Sequence, residues 1–181
     1  MIFKDFLSNE EVLIMNSTYI STAIALRDLH CSSLDTLDDR ILLQKKVYLA
    51  QDIGLPLGYG YGWYIHGPYS TDLTAAAYQI IPEGFYSLEK KGFKPEFARM
   101  IAKVNALELE NKCMETPLSR VEWYELLASI AYWYKRGKCE LNGMIAKIKE
   151  CKPQFTCDQT KVAYNAYLAF KDHSDGERSD G

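Results

Sequence analysis

His66 is the residue whose type and surroundings most readily suggest chemistry. It precedes a Gly67-Pro68 turn, with Tyr69 and Ser70 directly after that turn. A histidine can act as a general base near neutral pH, and a nearby hydroxyl could be its partner. No acid, histidine and nucleophile set can be recognised around it, and no Gly-x-Ser-x-Gly elbow occurs in the chain. The sequence therefore predicts a turn histidine bonded to backbone, in a protein that is not an enzyme.

The glycines and cysteines indicate no cofactor and no metal. Gly58, Gly60, Gly62 and Gly67 are not followed by the Gly-Lys-Ser/Thr of a phosphate loop, and they do not form a dinucleotide fingerprint. The five cysteines show no C-x-x-C spacing. Two of them without a neighbouring histidine make a poor zinc site, so reduced thiols are expected.

A small basic cluster on the predicted second helix provides the alternative of nucleic-acid binding. Arg40, Lys45 and Lys46 form this cluster, and Gln44 and Lys45 could reach bases if the helix entered a groove. Charge runs usually only solvate a helix face, and the chain has a net charge of -3. We therefore treat a solvated face as the main interpretation, with a nucleic-acid-binding regulator as the alternative.

Two aromatic-rich stretches are candidates for binding a partner protein, because interfaces prefer aromatic anchors. One is the apolar N-terminal segment, for which the helical pattern offers no obvious intramolecular position. The other is the stretch from Tyr59 to Leu73. The candidate partner-binding residues are Phe3, Phe6, Tyr61, Tyr64, His66 and Tyr69.

Length and composition limit the fold and the compartment. The 181 residues suit a single domain, and the hydrophobic share of 48% is enough for a core. No apolar run reaches the roughly 18 residues of a membrane span, and no secretory signal is recognisable. A cytoplasmic protein without a membrane association is expected.

Hydrophobic spacing predicts a mainly α fold, a compact multi-helix domain with a short central β-element, either a strand or a hairpin. The expected organisation is an N-terminal segment over 1–16, one α-rich domain over 17–170 and a disordered tail over 171–181. Capping boxes at Ser119–Glu122 and Thr156–Gln159 should open two of the helices. The predicted helices run from Ser17 to Leu29, from a cap at Asp38 or Asp39 to Ile53, from Thr71 to Gln79, from Pro95 to Lys112, from Ser119 to Gly137, from Leu141 to Glu150 and from Thr156 to Phe170.

The β-element should lie between the second and third helices. Alternating large rings predict a short strand with these rings on one face, and Gly60 and Gly62 on the other face should let another backbone approach. Ser70 should cap the helix that follows. The rings are those of Tyr59, Tyr61 and Trp63.

Three runs of residues form a recognisable pattern: Leu43-Gln-Lys-Lys-Val-Tyr-Leu-Ala50, Trp63-Tyr-Ile-His-Gly-Pro-Tyr-Ser70 and Glu122-Trp-Tyr-Glu-Leu-Leu-Ala-Ser129. This pattern resembles the YwgA-like proteins, which are distantly similar to the Panacea and SocA-like domains of phage-associated and antitoxin proteins. The resemblance covers roughly residues 38 to 170. The chain departs from the pattern at Lys46, where an apolar residue is usual, and in its N-terminal extension.

This resemblance implies an α-rich fold without known catalytic residues. Panacea-like members act as antitoxins that bind a toxin, or as adaptors that bring a toxin to a protease. The expectation is a non-enzymatic, antitoxin-like or phage-defence-associated subunit that binds and regulates a toxin or defence effector. A homo-oligomer is a further option, and a small enzyme with an unrecognised site is the second alternative.

Overall fold

The computed structural model describes residues 9–85, 88, 91–112, 117–137 and 140–175. This part of the chain contains eight helical segments and one two-stranded antiparallel hairpin, which confirms the predicted mainly α fold class with a short β-element. The helices are α1 (Asn9–Asp28), α2 (Leu37–Asp52), α3 (Thr71–Glu83), α4 (Pro95–Ala106), α5 (Glu108–Asn111), α6 (Arg120–Gly137), α7 (Leu141–Cys151) and α8 (Cys157–Asp175), and the strands are β1 (Gly62–Tyr64) and β2 (Gly67–Tyr69).

Helix α6 forms the centre of the core and packs against α2, α7, α8 and β2. Trp123 and Leu127 on this helix are fully buried, as their helical spacing predicts. A buried ring must also satisfy its polar atom. The indole N–H of Trp123 donates to the carbonyl of Leu107, and the hydroxyl of Tyr124 donates to that of Val104, each at 2.7 Å. These bonds attach the end of α4 to the core.

The N-terminal helix is longer than predicted. Helix α1 begins at Asn9, inside the 1–16 segment that was predicted to precede the first helix. It ends at Asp28, and His30 beyond it takes a left-handed conformation with φ of 58°. The amide of Cys31 then donates to the carbonyl of Leu26 at 2.8 Å. This is the bond of a Schellman ending, in which a glycine more often takes the left-handed position.

The cap of α2 is Thr36, so the prediction of Asp38 or Asp39 at this position is wrong. The hydroxyl of Thr36 accepts from the amide of Asp39, and the Asp39 carboxylate accepts from the amide of Thr36, both at 3.1 Å. Asp39 thus contributes to the cap from the third helical position of a capping box. The hydrogen bonds from Thr36 hold the pKa of Asp39 below its usual range.

The other predicted caps are confirmed. Ser119 and Glu122 exchange side-chain to backbone bonds at 3.0 and 3.3 Å, and Thr156 and Gln159 do so at 2.9 and 3.1 Å. Ser70 caps α3 through its side chain. These caps were predictable because their partners lie within one helical turn.

Three further parts of the helical pattern differ from the prediction. Helix α3 continues through Pro82 to Glu83. The single helix predicted from Pro95 onward is two helices, α4 and α5, which meet at Leu107. Helix α8 reaches Asp175, so 171–175 are helical where a disordered tail is predicted, and the rest of that tail lies outside the described residues.

None of the helices in the described part of the chain is long and apolar enough to cross a membrane.

Three of the five cysteines lie in the described residues. Cys31, Cys151 and Cys157 are free thiols, whereas Cys113 and Cys139 lie outside the described residues. Burial raises the pKa of the Cys31 thiol to about 11, so little reactive thiolate forms there at neutral pH.

Candidate functional site

The hairpin lies against α6 through Gly67. A Cβ at Gly67 would meet the Oγ of Ser129 at 2.8 Å, and the glycine has a φ of 86°. Only a glycine suits both the close approach and this left-handed backbone. The predicted close approach at Gly60 and Gly62 is wrong, since a Cβ there would have no neighbour within 4 Å.

The alternating rings before the turn lie on one face of the chain, as predicted, and this face packs against the helical core. Tyr59 lies just before the hairpin and its hydroxyl is 2.7 Å from the Oγ1 of Thr22 on α1. The ring centroid of Tyr61 lies 4.8 Å from that of Tyr48, and the centroid of Trp63 lies 5.2 Å from that of Tyr132. The rings therefore attach the chain before the turn to α1, α2 and α6.

A buried polar network joins the hairpin turn to α6 and to the end of α7. Glu125, only 5% exposed, accepts from the Nζ of Lys152 at 2.5 Å through one oxygen, and its other oxygen lies 2.9 Å from the Nδ1 of His66. The Nζ of Lys152 also donates to the carbonyl of Ile65. The buried charges of Glu125 and Lys152 therefore compensate each other, and their contacts with His66 and Ile65 hold the hairpin turn in place.

Two adjacent residues of α2 hold the second strand. The amide side chain of Gln44 donates to the carbonyl of Ser70 and accepts from its N–H, both at 2.9 Å. Lys45, 1% exposed, donates from its Nζ to the carbonyl of Pro68 at 2.7 Å. Burial lowers the pKa of Lys45 to about 7, and the nearby carboxylate of Glu125 opposes that shift.

Lys46 is buried on the opposite side of α2. Its Nζ donates to the carbonyl of Leu29 and to the Oδ1 of Asn105, each at 3.0 Å, and lies 3.4 Å from a carboxylate oxygen of Glu108. It also lies 5.0 Å from the ring centroid of Tyr124. Burial lowers its pKa despite these partners.

These positions correct the prediction of an exposed basic cluster. Lys45 and Lys46 face the interior, and only Arg40 of the predicted set is partly exposed. The lysines are inside because carbonyl and carboxylate groups from other parts of the chain satisfy their ammonium groups. The three residues therefore do not form a common surface that could contact nucleic acid.

A cavity of about 310 Å³ opens between α2, α3 and the hairpin, and we call it the hairpin cavity. Aliphatic and aromatic side chains together form most of its walls, with polar groups among them. This combination is typical of binding sites. The lining residues are Leu34, Leu37, Arg40, Ile41, Leu43, Gln44, Lys45, Tyr64, His66, Gly67, Tyr69, Thr74, Ala77 and Tyr78.

Exposed apolar side chains surround the hairpin cavity. Among the described residues, five large hydrophobic side chains are exposed, and four of these lie at the cavity or in the adjoining turn. We call these four the apolar rim: Leu37 (54% exposed), Tyr64 (60%), Ile65 (72%) and Tyr78 (53%). Clustering of this kind marks interaction surfaces, whereas single exposed apolar residues do not.

The structure brings three of the predicted partner-binding residues together. Tyr64, His66 and Tyr69 line the hairpin cavity, and the rings of Tyr64 and Tyr69 have centroids 5.6 Å apart. Tyr61 does not join them, because its ring packs on α2 and its hydroxyl is buried. Phe3 and Phe6 lie outside the described residues.

The prediction that His66 bonds to backbone is wrong, since its Nδ1 contacts the carboxylate of Glu125. A carboxylate oriented on a histidine is part of a catalytic triad, but Glu125 is also bonded to Lys152. Within the described residues no hydroxyl or thiol bonds to His66. No group of three histidine, cysteine or acidic side chains in this part of the chain could hold a metal ion.

Sequence reasoning missed Glu125 and Lys152, although one signal was available. Glu125 stands within a run of buried residues on α6, where an isolated carboxylate requires a partner. The identity of that partner depends on the tertiary fold, since Lys152 lies 27 positions away. Leu37 and Tyr78 carried no signal, because their exposure follows from how α2 and α3 pack.

No protein-family model, curated protein or solved structure matches this chain. The likeness to YwgA-like proteins therefore remains a prediction from the sequence runs, and the function must be argued from the site.

Proposed function

We propose that this chain is a non-enzymatic protein-interaction module that binds and regulates a partner protein through the apolar rim and the hairpin cavity. The observation that carries the proposal is the concentration of exposed apolar side chains around one cavity. Exposed aromatic and aliphatic groups beside a concave surface supply the anchors that dominate binding energy at interfaces.

The support beneath this surface suits a docking site. Strand β2 is held by Gln44 and Lys45, and the turn is held by Lys152. A surface whose backbone is fixed before binding loses less entropy when a partner docks. The partner that the sequence resemblance suggests is a toxin or a phage-defence effector in the cytoplasm, with this chain as an antitoxin-like or defence-associated subunit.

Co-purification with the product of the neighbouring gene tests the proposal. Replacing Tyr64, Ile65 and Tyr78 together by serine should abolish the complex, because three apolar anchors are lost. The matched control is Leu109→Ser, since Leu109 is 61% exposed but lies on α5, away from the cavity. Retention of the complex by the triple variant would contradict the proposal.

A second variant separates the two candidate binding surfaces that were predicted from the sequence. Phe3→Asp with Phe6→Asp removes the anchors of the N-terminal segment. The proposal expects this variant to keep most of the complex. If only this variant loses the complex, the binding surface lies in the N-terminal segment and the proposed site is wrong.

A further inference from the structure

The lining of the hairpin cavity contains basic side chains. Binding of an apolar partner surface would not by itself require them. Arg40, Lys45 and His66 are among its residues, and none of the lining residues is an aspartate or a glutamate. The chain as a whole carries a net charge of -3. A basic lining within an acidic protein favours an anionic ligand group.

Arg40 is placed to bind such a group. Its Nη1 donates to the carbonyl of Leu34 at 2.7 Å and approaches that of Asp35 at 3.5 Å. Within the described residues, its Nε and Nη2 make no hydrogen bond. The two parallel N–H groups of that edge match the spacing of a carboxylate, which they can bind in a bidentate manner.

Lys45 adds a positive charge that can respond to the ligand. It is buried at the cavity wall, and its Nζ has the carbonyl of Pro68 as hydrogen-bond acceptor at 2.7 Å. Burial lowers its pKa to about 7, so an anion nearby would favour the protonated form. The positive charge of Lys45 thus attracts an anion in the cavity without a direct hydrogen bond to it.

The aliphatic part of the cavity lining favours an anion that also has an apolar portion. Leu34, Ile41, Leu43 and Ala77 line the cavity, and a hydrated inorganic ion would leave them without contacts. The volume of about 310 Å³ is at the small end of ligand sites. A compact ligand with one acidic group fits this combination of size, charge and apolar wall.

We propose that the hairpin cavity binds a small carboxylate, whose carboxyl group pairs with Arg40 and whose apolar body lies against the walls formed by α2 and α3. This site goes beyond the proposed protein binding and does not depend on it. The same chemistry is available from a free organic acid and from the carboxyl terminus of a chain that ends in an apolar residue.

The test is a titration of the purified protein with phenylacetate, phenylacetamide and acetate, followed by nitrogen–proton correlation spectra. Phenylacetate should shift the amide signals of Gly67, Tyr69 and Thr74 in a saturable way. Phenylacetamide should bind at least about tenfold more weakly, because a neutral amide loses the charge-assisted pair. Acetate should also bind more weakly, because it lacks the apolar body. Equal binding of acid and amide, or signal shifts only outside the cavity, would overturn the proposal.

Substitutions at Arg40 provide a second, independent test of the proposed carboxylate site. Arg40→Gln should remove the preference for acid over amide, and Arg40→Lys should retain part of it. The control is Arg99→Gln, on the exposed face of α4 and outside the lining. An unchanged preference in Arg40→Gln, with wild-type binding in the control, would overturn the proposal.

The two sources are distinguished with acetyl-glycyl-phenylalanine and its carboxamide. Binding of this peptide acid at least as tight as that of phenylacetate identifies a chain terminus as the natural group. Exclusion of the peptide acid, with phenylacetate still bound, identifies a free organic acid.

Discussion

The Nδ1 of His66 lies 2.9 Å from the Oε2 of Glu125, although 59 positions separate the two residues in the chain. This contact joins the hairpin turn to the buried centre of α6. The second oxygen of Glu125 binds Lys152, which in turn holds the carbonyl of Ile65. One carboxylate thereby determines where the turn and its exposed Ile65 lie.

Replacing this carboxylate should destabilise the fold. Glu125→Gln leaves the charge of Lys152 buried without compensation, and we expect the free energy of unfolding to fall by about 3 to 5 kcal/mol. The control is Glu150→Gln, which removes a largely exposed pair with Lys147 and should cost about 0 to 1 kcal/mol. Urea unfolding of both variants measures the difference, and equal losses would contradict the account.

The pH dependence of stability should report the burial of Lys45. Its pKa is lowered from 10.5 to about 7, so between these values the unfolded chain keeps a proton that the folded chain has lost. The free energy of unfolding should therefore rise with pH in this window, by up to about 1.4 kcal/mol per pH unit, and should be flat below it. The measurement is the difference between wild type and Lys45→Met from about pH 6 to about pH 9. A difference that stays flat or falls above neutral pH would show that Lys45 remains charged in the folded state.

The close contact between the hairpin and α6 should tolerate no side chain at Gly67. Gly67→Ala combines a left-handed backbone with a contact to Ser129, and we expect a loss of about 2 kcal/mol or more. Gly60→Ala meets no atom within 4 Å and should change stability by less than about 0.5 kcal/mol. Thermal unfolding of the two variants decides the point, and a harmless Gly67→Ala would show that the hairpin lies further from α6.

Two buried tyrosine hydroxyls should respond in opposite ways to removal. The hydroxyl of Tyr48 has no hydrogen-bond partner within the described residues, so Tyr48→Phe should be neutral or slightly stabilising. The hydroxyl of Tyr124 donates to the carbonyl of Val104 at 2.7 Å, and that carbonyl also accepts from the amide of Leu107 at 3.3 Å. Tyr124→Phe should therefore cost about 0.5 to 1.5 kcal/mol, because one buried hydrogen bond is lost. Comparable losses in both variants would indicate a partner for Tyr48 as well.

The features that were predictable from the sequence are those with local causes. The caps at Ser70, Ser119 and Thr156 depend on residues three positions away, and the place of the alternating rings on one face follows from the geometry of an extended chain. The burial of Trp123 follows from its place on an apolar helix. These features settle the fold class and the place of the hairpin.

The burial of the two lysines could not be predicted, because it depends on distant backbone. The ammonium group of Lys45 is satisfied by Pro68, and that of Lys46 by Leu29 and Asn105. Nothing in the spacing of α2 shows that these acceptors approach it.

Hydrogen exchange of the chain, alone and bound to its partner protein, tests the proposed interaction surface most directly. The account predicts slower exchange in the complex for the hairpin turn and β2, for the first turn of α2 and for the middle of α3, which together carry the apolar rim. Helices α5 and α8 should exchange as they do in the free protein. Slower exchange confined to α5 and α8, or to the N-terminal segment, with the hairpin unchanged, would contradict the proposal that the partner binds at the apolar rim.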